Sequence, residues 1–273
     1  MPSEQKIALC SMGSGIPEPE LTAYLHQIQT LLKKAVPVKM DTVFCLTTTE
    51  GTESLDRLSK AVDHLIFSKH KTNFSIARQS LLTYSSCLQV DGIIIVDADG
   101  AFDPLDVARV ANEGLKKNLD AVLSQKQGPL LGDVATNDLR LYEEQFTDWL
   151  VLKTLGKNEI IQLQTGLRWL SFAAVQKLLC CRWILEGYSW DLQCSYYVLK
   201  SQMQYSLVNV PLRAQSKSMF LEKDVSIKLR VISRLLQIGW ERIQTSFHDF
   251  CIESGIAPDR ERRLSEILLT PHD

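Results

Sequence analysis

The segment Gly92-Ile93-Ile94-Ile95-Val96-Asp97-Ala98-Asp99-Gly100 constrains the fold of this chain more than any other stretch. Successive β-branched residues without polar alternation describe a strand covered on both faces, the setting of a central strand in a mostly parallel sheet. Asp97 and Asp99 follow where that strand ends. In extended backbone they would face opposite ways, but a turn lets both address one ligand. Ligands of open α/β sheets collect beyond the carboxyl ends of the strands. A carboxylate pair there suits Mn²⁺ or Mg²⁺, hard ions that also bridge phosphate oxygens. Asp97 and Asp99 are therefore read as metal ligands, with caps of the turn before Asp103-Pro104 as the structural alternative.

The flanking sequence builds the same sheet. Lys6–Ser11 predicts a strand, and Glu20–Lys34 a helix with Leu21, Leu25, Ile28, Leu31 and Leu32 at helical spacing. Thr42–Thr47 and Leu65–Phe67 predict strands, with a short helix over Leu55–Val62 between them, then a helix over Ile76–Val90. After the central strand come a helix over Pro104–Asn118 and a strand over Asp120–Ser124. This alternation produces a mostly parallel α/β sheet flanked by helices. From Leu139 helices dominate: Leu139–Leu155, Ala173–Leu185, and one running from Trp190 to Lys200. A late strand at Tyr205–Val210 precedes a helical tail. A boundary near Ser216 divides residues 1–215 from a helical extension, 216–273.

Composition narrows the function. The 273 residues are 45% hydrophobic and 23% charged, enough for a substantial core. A net charge of −2 gives no broad basic field, which argues against a nucleic-acid partner. No apolar stretch reaches ~18 residues and no secretory h-region is evident, so a soluble, cytoplasmic protein is expected. The seven cysteines show no zinc-type CxxC spacing and read as reduced, mostly buried thiols.

With these residues in view, the chain resembles the family 2 glycosyltransferases and their GT-A fold, which bind a nucleotide-sugar through a metal-binding D-x-D after a central strand. Asn73–Leu81 looks like the N-x-G-x-x-A-R-N-x-G-L segment that precedes this strand in the family. Gln164-Thr165-Gly166-Leu167-Arg168 is similar to the T/S-G-F-R element of the polyprenyl- and dolichyl-phosphate sugar transferase branch. Gly187-Tyr188-Ser189-Trp190-Asp191 and Val210-Pro211-Leu212-Arg213 resemble two later steps of that branch.

The resemblance implies a hexosyltransferase-type enzyme using Mn²⁺ or Mg²⁺ in a domain spanning about residues 5 to 215. Arg78 and Asp97 then face the donor, and Asp191 is the base that receives a hydroxyl acceptor's proton, or orients a phosphate acceptor. Thr165, Gly166, Arg168 and Arg213 lie on the acceptor side, the arginines suiting a phosphate. Ser11 and the backbone at Gly13 are placed toward the nucleotide. Thr47–Gly51, including Thr48, stands where the family carries an acidic pair for the nucleobase, and Ala101 where the lipid-phosphate branch offers a Gln to the metal.

Rival readings remain open at the sequence level. Ile94–Gly100 also fits the hhhh-D-x-D-G motif of haloacid dehalogenase-type phosphatases, with Gly132-Asp133 and Asp138 mimicking a later acidic motif. That reading leaves Arg78 and Thr165–Arg168 without a role. A non-catalytic GT-A relative that binds a nucleotide or a protein is the third. The tail helix carries Val225, Leu229, Ile232, Leu236 and Trp240 on one face, fit to pack on the main domain, on a second copy in a homodimer, or as a peripheral contact at a membrane.

Overall fold

In the computed structural model, Ile93, Ile94, Ile95 and Val96 are completely buried within β4 (Gly92–Asp97). Described are residues 5–13, 18–35, 38–46, 58–67, 73–127, 134–159, 161–211 and 222–269. Preceding β4 are β1 (Gln5–Gly13), α1 (Glu18–Ala35), β2 (Val38–Leu46), β3 (His64–Phe67) and α2 (Phe74–Ser85). Then come α3 (Pro104–Lys117), β5 (Ala121–Gln127), α4 (Val134–Thr154), β6 (Arg168–Ser171), α5 (Phe172–Leu179) and α6 (Trp190–Lys200). The chain continues through β7 (Tyr205–Pro211), α7 (Glu222–Leu236), α8 (Trp240–Glu253) and α9 (Pro258–Leu268).

The strands form one seven-stranded sheet in the order β3-β2-β1-β4-β6-β5-β7. It is the expected mostly parallel α/β sheet, with β6 antiparallel to both β4 and β5. Alternate residues of β1 feed two cores: Ala8 and Cys10 join one, Ile7 and Leu9 the other, as the two faces of a pleated strand require. All seven cysteines are free; Cys10, Cys45, Cys194 and Cys251 are buried and Cys87 and Cys180 exposed.

Three local features depart from expectation. β6 has only four residues, too few to show a period, and its Trp169 fits because two glycines make room. A Cβ would lie 2.3 Å from the indole at Gly92 and 2.1 Å from it at Gly114. The helix expected to Leu185 stops at Leu179, because side chains take over the next backbone groups. Trp183 Nε1 donates to the Leu178 carbonyl at 2.9 Å, and Gln193 bonds both the N–H (2.9 Å) and the C=O (2.7 Å) of Ile184. The helix expected over Ile76–Val90 is shifted, running from Phe74 to Ser85 after the Asn73 side chain caps the Ile76 N–H. Of the short helix expected over Leu55–Val62, residues 58–61 are helical, and Leu55 lies outside the described residues.

The tail helices share the core of the sheet. Val225, Leu229 and Ile232 of α7 are buried in one cluster with Phe146 and Leu150 of α4 and Ile93 of β4, so the apolar face packs on the main body. Phe247 of α8 meets Phe146 edge-on at 5.0 Å. The boundary expected near Ser216 lies outside the described residues. Among those residues, no helix is long and apolar enough to cross a membrane.

Candidate active site

Asp97 closes β4 with its side chain 29% exposed and forms a short ion pair, through Oδ1, with Nη2 of Arg78 from α2. Arg78 is completely buried, which excludes a solvated helix-surface role. Its guanidinium lies 5.0 Å over the Phe74 ring, and Nη2 also donates to the Gly166 carbonyl at 3.3 Å. Gly166 presses against the other carboxylate oxygen: a Cβ there would sit 2.1 Å from Asp97 Oδ2 and 3.3 Å from Arg78 Nη2. Asp99 is exposed, and its Oδ1 accepts the Ala101 N–H at 3.0 Å. The turn is completed by Gly100 at φ 74°, where glycine is unstrained. Of the two carboxylates of the motif, Asp97 is thus partly covered and Asp99 open to solvent.

A second buried pair lies nearby. Arg168, the first residue of β6, is 1% exposed and holds Asp191 Oδ1 at 2.9 Å. It also donates to the Asp191 carbonyl at 3.0 Å and to the Thr165 carbonyl at 2.5 Å, with its guanidinium 5.5 Å over the Trp190 ring. Asp191 lies in the first turn of α6. Ser189 occupies the cap position, so capping does not explain the aspartate.

Polar satisfaction is poor here. Buried Arg78 Nε and Nη1, Thr165 Oγ1, Arg168 Nε and Asp191 Oδ1 have no hydrogen-bond partner among the described residues; Arg168 Nη2 is close to that Oδ1 but not directed at it. Most buried polar side-chain atoms in folded proteins are satisfied, so their concentration in these neighbouring residues needs an explanation, and a bound ligand is one.

Burial pushes the Asp97 carboxyl up to about 6, opposed by Arg78 and reinforced by Asp99 and Asp191. Its folded pKa then exceeds the unfolded value, so ionising Asp97 costs stability. That penalty is absent below about pH 4, grows between about pH 4 and 6, and is full above. Asp97→Asn lacks this titration, so wild type is expected to lose stability relative to the variant as the pH rises from about 4 to 7, whatever the constant cost of leaving Arg78 without its counter-charge. Melting curves of both proteins across this window check it; a stability difference that does not change with pH would contradict the raised Asp97 pKa.

Among the described residues no group of three or more His, Cys, Asp or Glu could hold a metal ion. The carboxylate pair still fits Mg²⁺ or Mn²⁺, because such ions are commonly held by one or two carboxylates plus waters and substrate phosphates. Asp99 is the more accessible donor, since Arg78 already occupies Asp97 Oδ1.

The other candidates are placed differently. Ser11 is completely buried and donates its hydroxyl to the Val96 carbonyl at 3.0 Å, while Gly13 ends β1 one residue after Met12, which pairs with Asp97 of β4. Thr48 and Arg213 lie outside the described residues. Phe74, Trp190 and Gln164 were not picked out by sequence reasoning. The aromatic residues were legible only as neighbours within the motifs of Arg78 and Asp191.

No protein-family model matches the chain, and no curated protein matches it by sequence. Its fold matches solved structures. Glucosyl-3-phosphoglycerate synthase from Mycobacterium tuberculosis, in complex with phosphoglyceric acid, superposes with a TM-score of 0.62 at 13% identity, covering 86% of this chain and 81% of that one. The same enzyme with Mn²⁺, uridine diphosphate and phosphoglyceric acid gives 0.63 at 13% identity, with 86% and 80% covered. A structure described only as a mycobacterial protein gives 0.64 at 12%, with 86% and 76% covered. At these identities the likeness defines the fold, which is that of the GT-A glycosyltransferases. These neighbours do not carry the assignment to the polyprenyl-phosphate branch.

Proposed function

We propose that this chain is a metal-assisted glycosyltransferase that moves a sugar from a nucleotide-sugar donor to an acceptor hydroxyl. The observation that carries the proposal is the cluster of Arg78, Asp97, Thr165, Gly166, Arg168 and Asp191 at the carboxyl end of β4, with its unpartnered buried atoms. The GT-A fold supports it, because its solved examples include an enzyme bound to Mn²⁺ and uridine diphosphate.

Charge decides the ligand class. Each buried arginine is already matched by a carboxylate, so the cluster has no uncompensated cation for a second anion. Its positions without a hydrogen bond among the described residues mix donors (Arg78 Nε and Nη1, Arg168 Nε) with a hydroxyl that both donates and accepts (Thr165 Oγ1). A hydroxyl both donates and accepts, whereas a fully ionised phosphate only accepts. Sugar hydroxyls fit this mixture better than an acceptor phosphate. The donor's diphosphate belongs outside the cluster, beside Asp99 and Gly13.

Mn²⁺ or Mg²⁺ would be held by Asp99 and Asp97 and would supply neutralisation of the leaving diphosphate. Arg78 fixes the direction of Asp97, and Gly166 lets the carboxylate lie against the backbone. Asp191 receives the acceptor's hydroxyl proton, with Arg168 orienting its carboxylate through Oδ1. The phosphatase reading requires Asp97 to attack phosphorus, a role that its Arg78 pairing and its contact with Gly166 oppose.

The test is a thermal-shift screen of UDP-, GDP- and dTDP-sugars with Mn²⁺. At least one is expected to stabilise the protein in a metal-dependent way, and Asp99→Ala to weaken that ligand at least about tenfold, ~1.4 kcal/mol. Stabilisation by none of them would sink the donor assignment. Rapid hydrolysis of p-nitrophenyl phosphate would favour the phosphatase.

A further inference from the structure

The segment from Ile161 to Leu167 carries Thr165 and Gly166 into the site without secondary structure of its own. Its backbone groups must therefore find partners elsewhere. Asp148 of α4 accepts the Leu163 N–H at 3.1 Å, and Gln125 of β5 accepts the Gln162 N–H at 2.8 Å. Ser195 of α6 donates to the Leu163 carbonyl at 2.7 Å, and Ser124 to the Leu167 carbonyl at 2.6 Å.

The Gln164 side chain completes this scaffold. Its Nε2 donates to Thr147 Oγ1 at 2.8 Å and to Asp148 Oδ1 at 3.0 Å. Its Oε1 accepts from Lys228 Nζ at 2.7 Å, and the same ammonium donates to Glu143 Oε2 at 2.8 Å. Lys228 belongs to α7, in the tail, and is 4% exposed. That helix also reaches the segment leading to Asp191. Ile227 Cγ2 lies 3.0 Å from the point where a Cβ would stand on Gly187, and Arg234 pairs with Glu186 at 2.5 Å.

A buried ammonium is a poor choice for packing alone. Its desolvation costs several kcal/mol, and apolar replacement of buried ion pairs is often neutral or stabilising. What lysine adds here is a simultaneous bond to Glu143 and to Gln164. Gln164 directly precedes the residues whose carbonyls receive Arg168 and Arg78.

We infer that Lys228 is a positioning residue of the active site: through Gln164 it sets the Thr165–Gly166 backbone, so the tail helix completes the ligand site and does more than cover the core. This rests on the reading that Thr165–Arg168 frame the ligand. A consequence is that the sheet region alone would carry the site residues but hold them loosely.

Backbone hydrogen exchange of the ligand-free full chain tests it, with wild type, Lys228→Met, and Lys228→Met combined with Glu143→Gln. In both variants exchange at residues 162–167 is expected to accelerate at least tenfold, while Ile94 and Ile95 stay protected. The double variant removes both charges of the Lys228–Glu143 pair and should regain most of the melting temperature without regaining loop protection. In that double variant, affinity for the UDP-, GDP- or dTDP-sugar that stabilises wild type with Mn²⁺ should also fall at least tenfold. Unchanged loop protection in Lys228→Met, or protection and affinity restored together with stability in the double variant, overturns the inference. If Lys228→Met does not fold, Gln164→Leu keeps the Lys228–Glu143 pair and must reproduce the loosening. If wild type binds none of the UDP-, GDP- and dTDP-sugars, the donor reading has failed, and the exchange result still decides whether Lys228 braces the loop.

Discussion

Replacing Arg168 with methionine lowers the stability of the protein by about 3–5 kcal/mol, the largest single-residue loss expected from the described site. Both members of the pair are nearly excluded from solvent, with side chains 2% and 8% exposed. Removing the cation strands Asp191 in a poorly solvated place, and breaking a buried pair in this way typically costs that much. It also removes donors to the carbonyls of Asp191 and Thr165 and the contact with the Trp190 ring. Adding Asp191→Asn should recover part of the loss by removing the stranded charge. Urea unfolding of the three proteins measures this, and a loss below about 1 kcal/mol for Arg168→Met would show that solvent reaches the pair.

Gly166→Ala is expected to have the largest effect on ligand binding. The added methyl would meet Asp97 Oδ2 at 2.1 Å, so the carboxylate must swing away and its bond with Arg78 is lost. Gly166 is not in left-handed backbone, so the effect is one of space and not of backbone strain. Overpacking of this kind costs about 1–3 kcal/mol. Donor affinity should fall at least about a hundredfold, ~2.7 kcal/mol, because both Arg78 and Asp97 lose their places. Wild-type donor affinity in Gly166→Ala would mean that the orientation of Asp97 does not matter.

How much of this was legible beforehand depended on sequence distance. The Ile93–Val96 run marked the central strand because burial on both faces writes itself into consecutive residues. Arg78 and Asp97 were recognisable through motifs, yet their ion pair joins a helix to a strand end and has no local signature. β6 went unread because Arg168–Ser171 is too short for a period, and its place between β4 and β5 depends on Gly92 and Gly114. Sequence reading places Lys228 off the apolar face of the tail helix, yet it is 4% exposed beside Val225, Leu229 and Ile232, where a cation needs a reason. That reason, Gln164 and Glu143, lies 64 and 85 residues away in the chain. Ser11 shows the converse, since a polar residue near a strand end can serve the sheet, as its bond to the Val96 carbonyl does.

The central claim is a metal-assisted nucleotide site at the end of β4, and calorimetric titration of UDP, GDP and dTDP into the wild-type protein, with and without Mn²⁺, tests it most directly. Saturable binding that requires Mn²⁺ and is weakened at least tenfold by Asp99→Ala is the result this account predicts. No binding of any of the three under either condition, or binding indifferent to both the metal and Asp99, would contradict it.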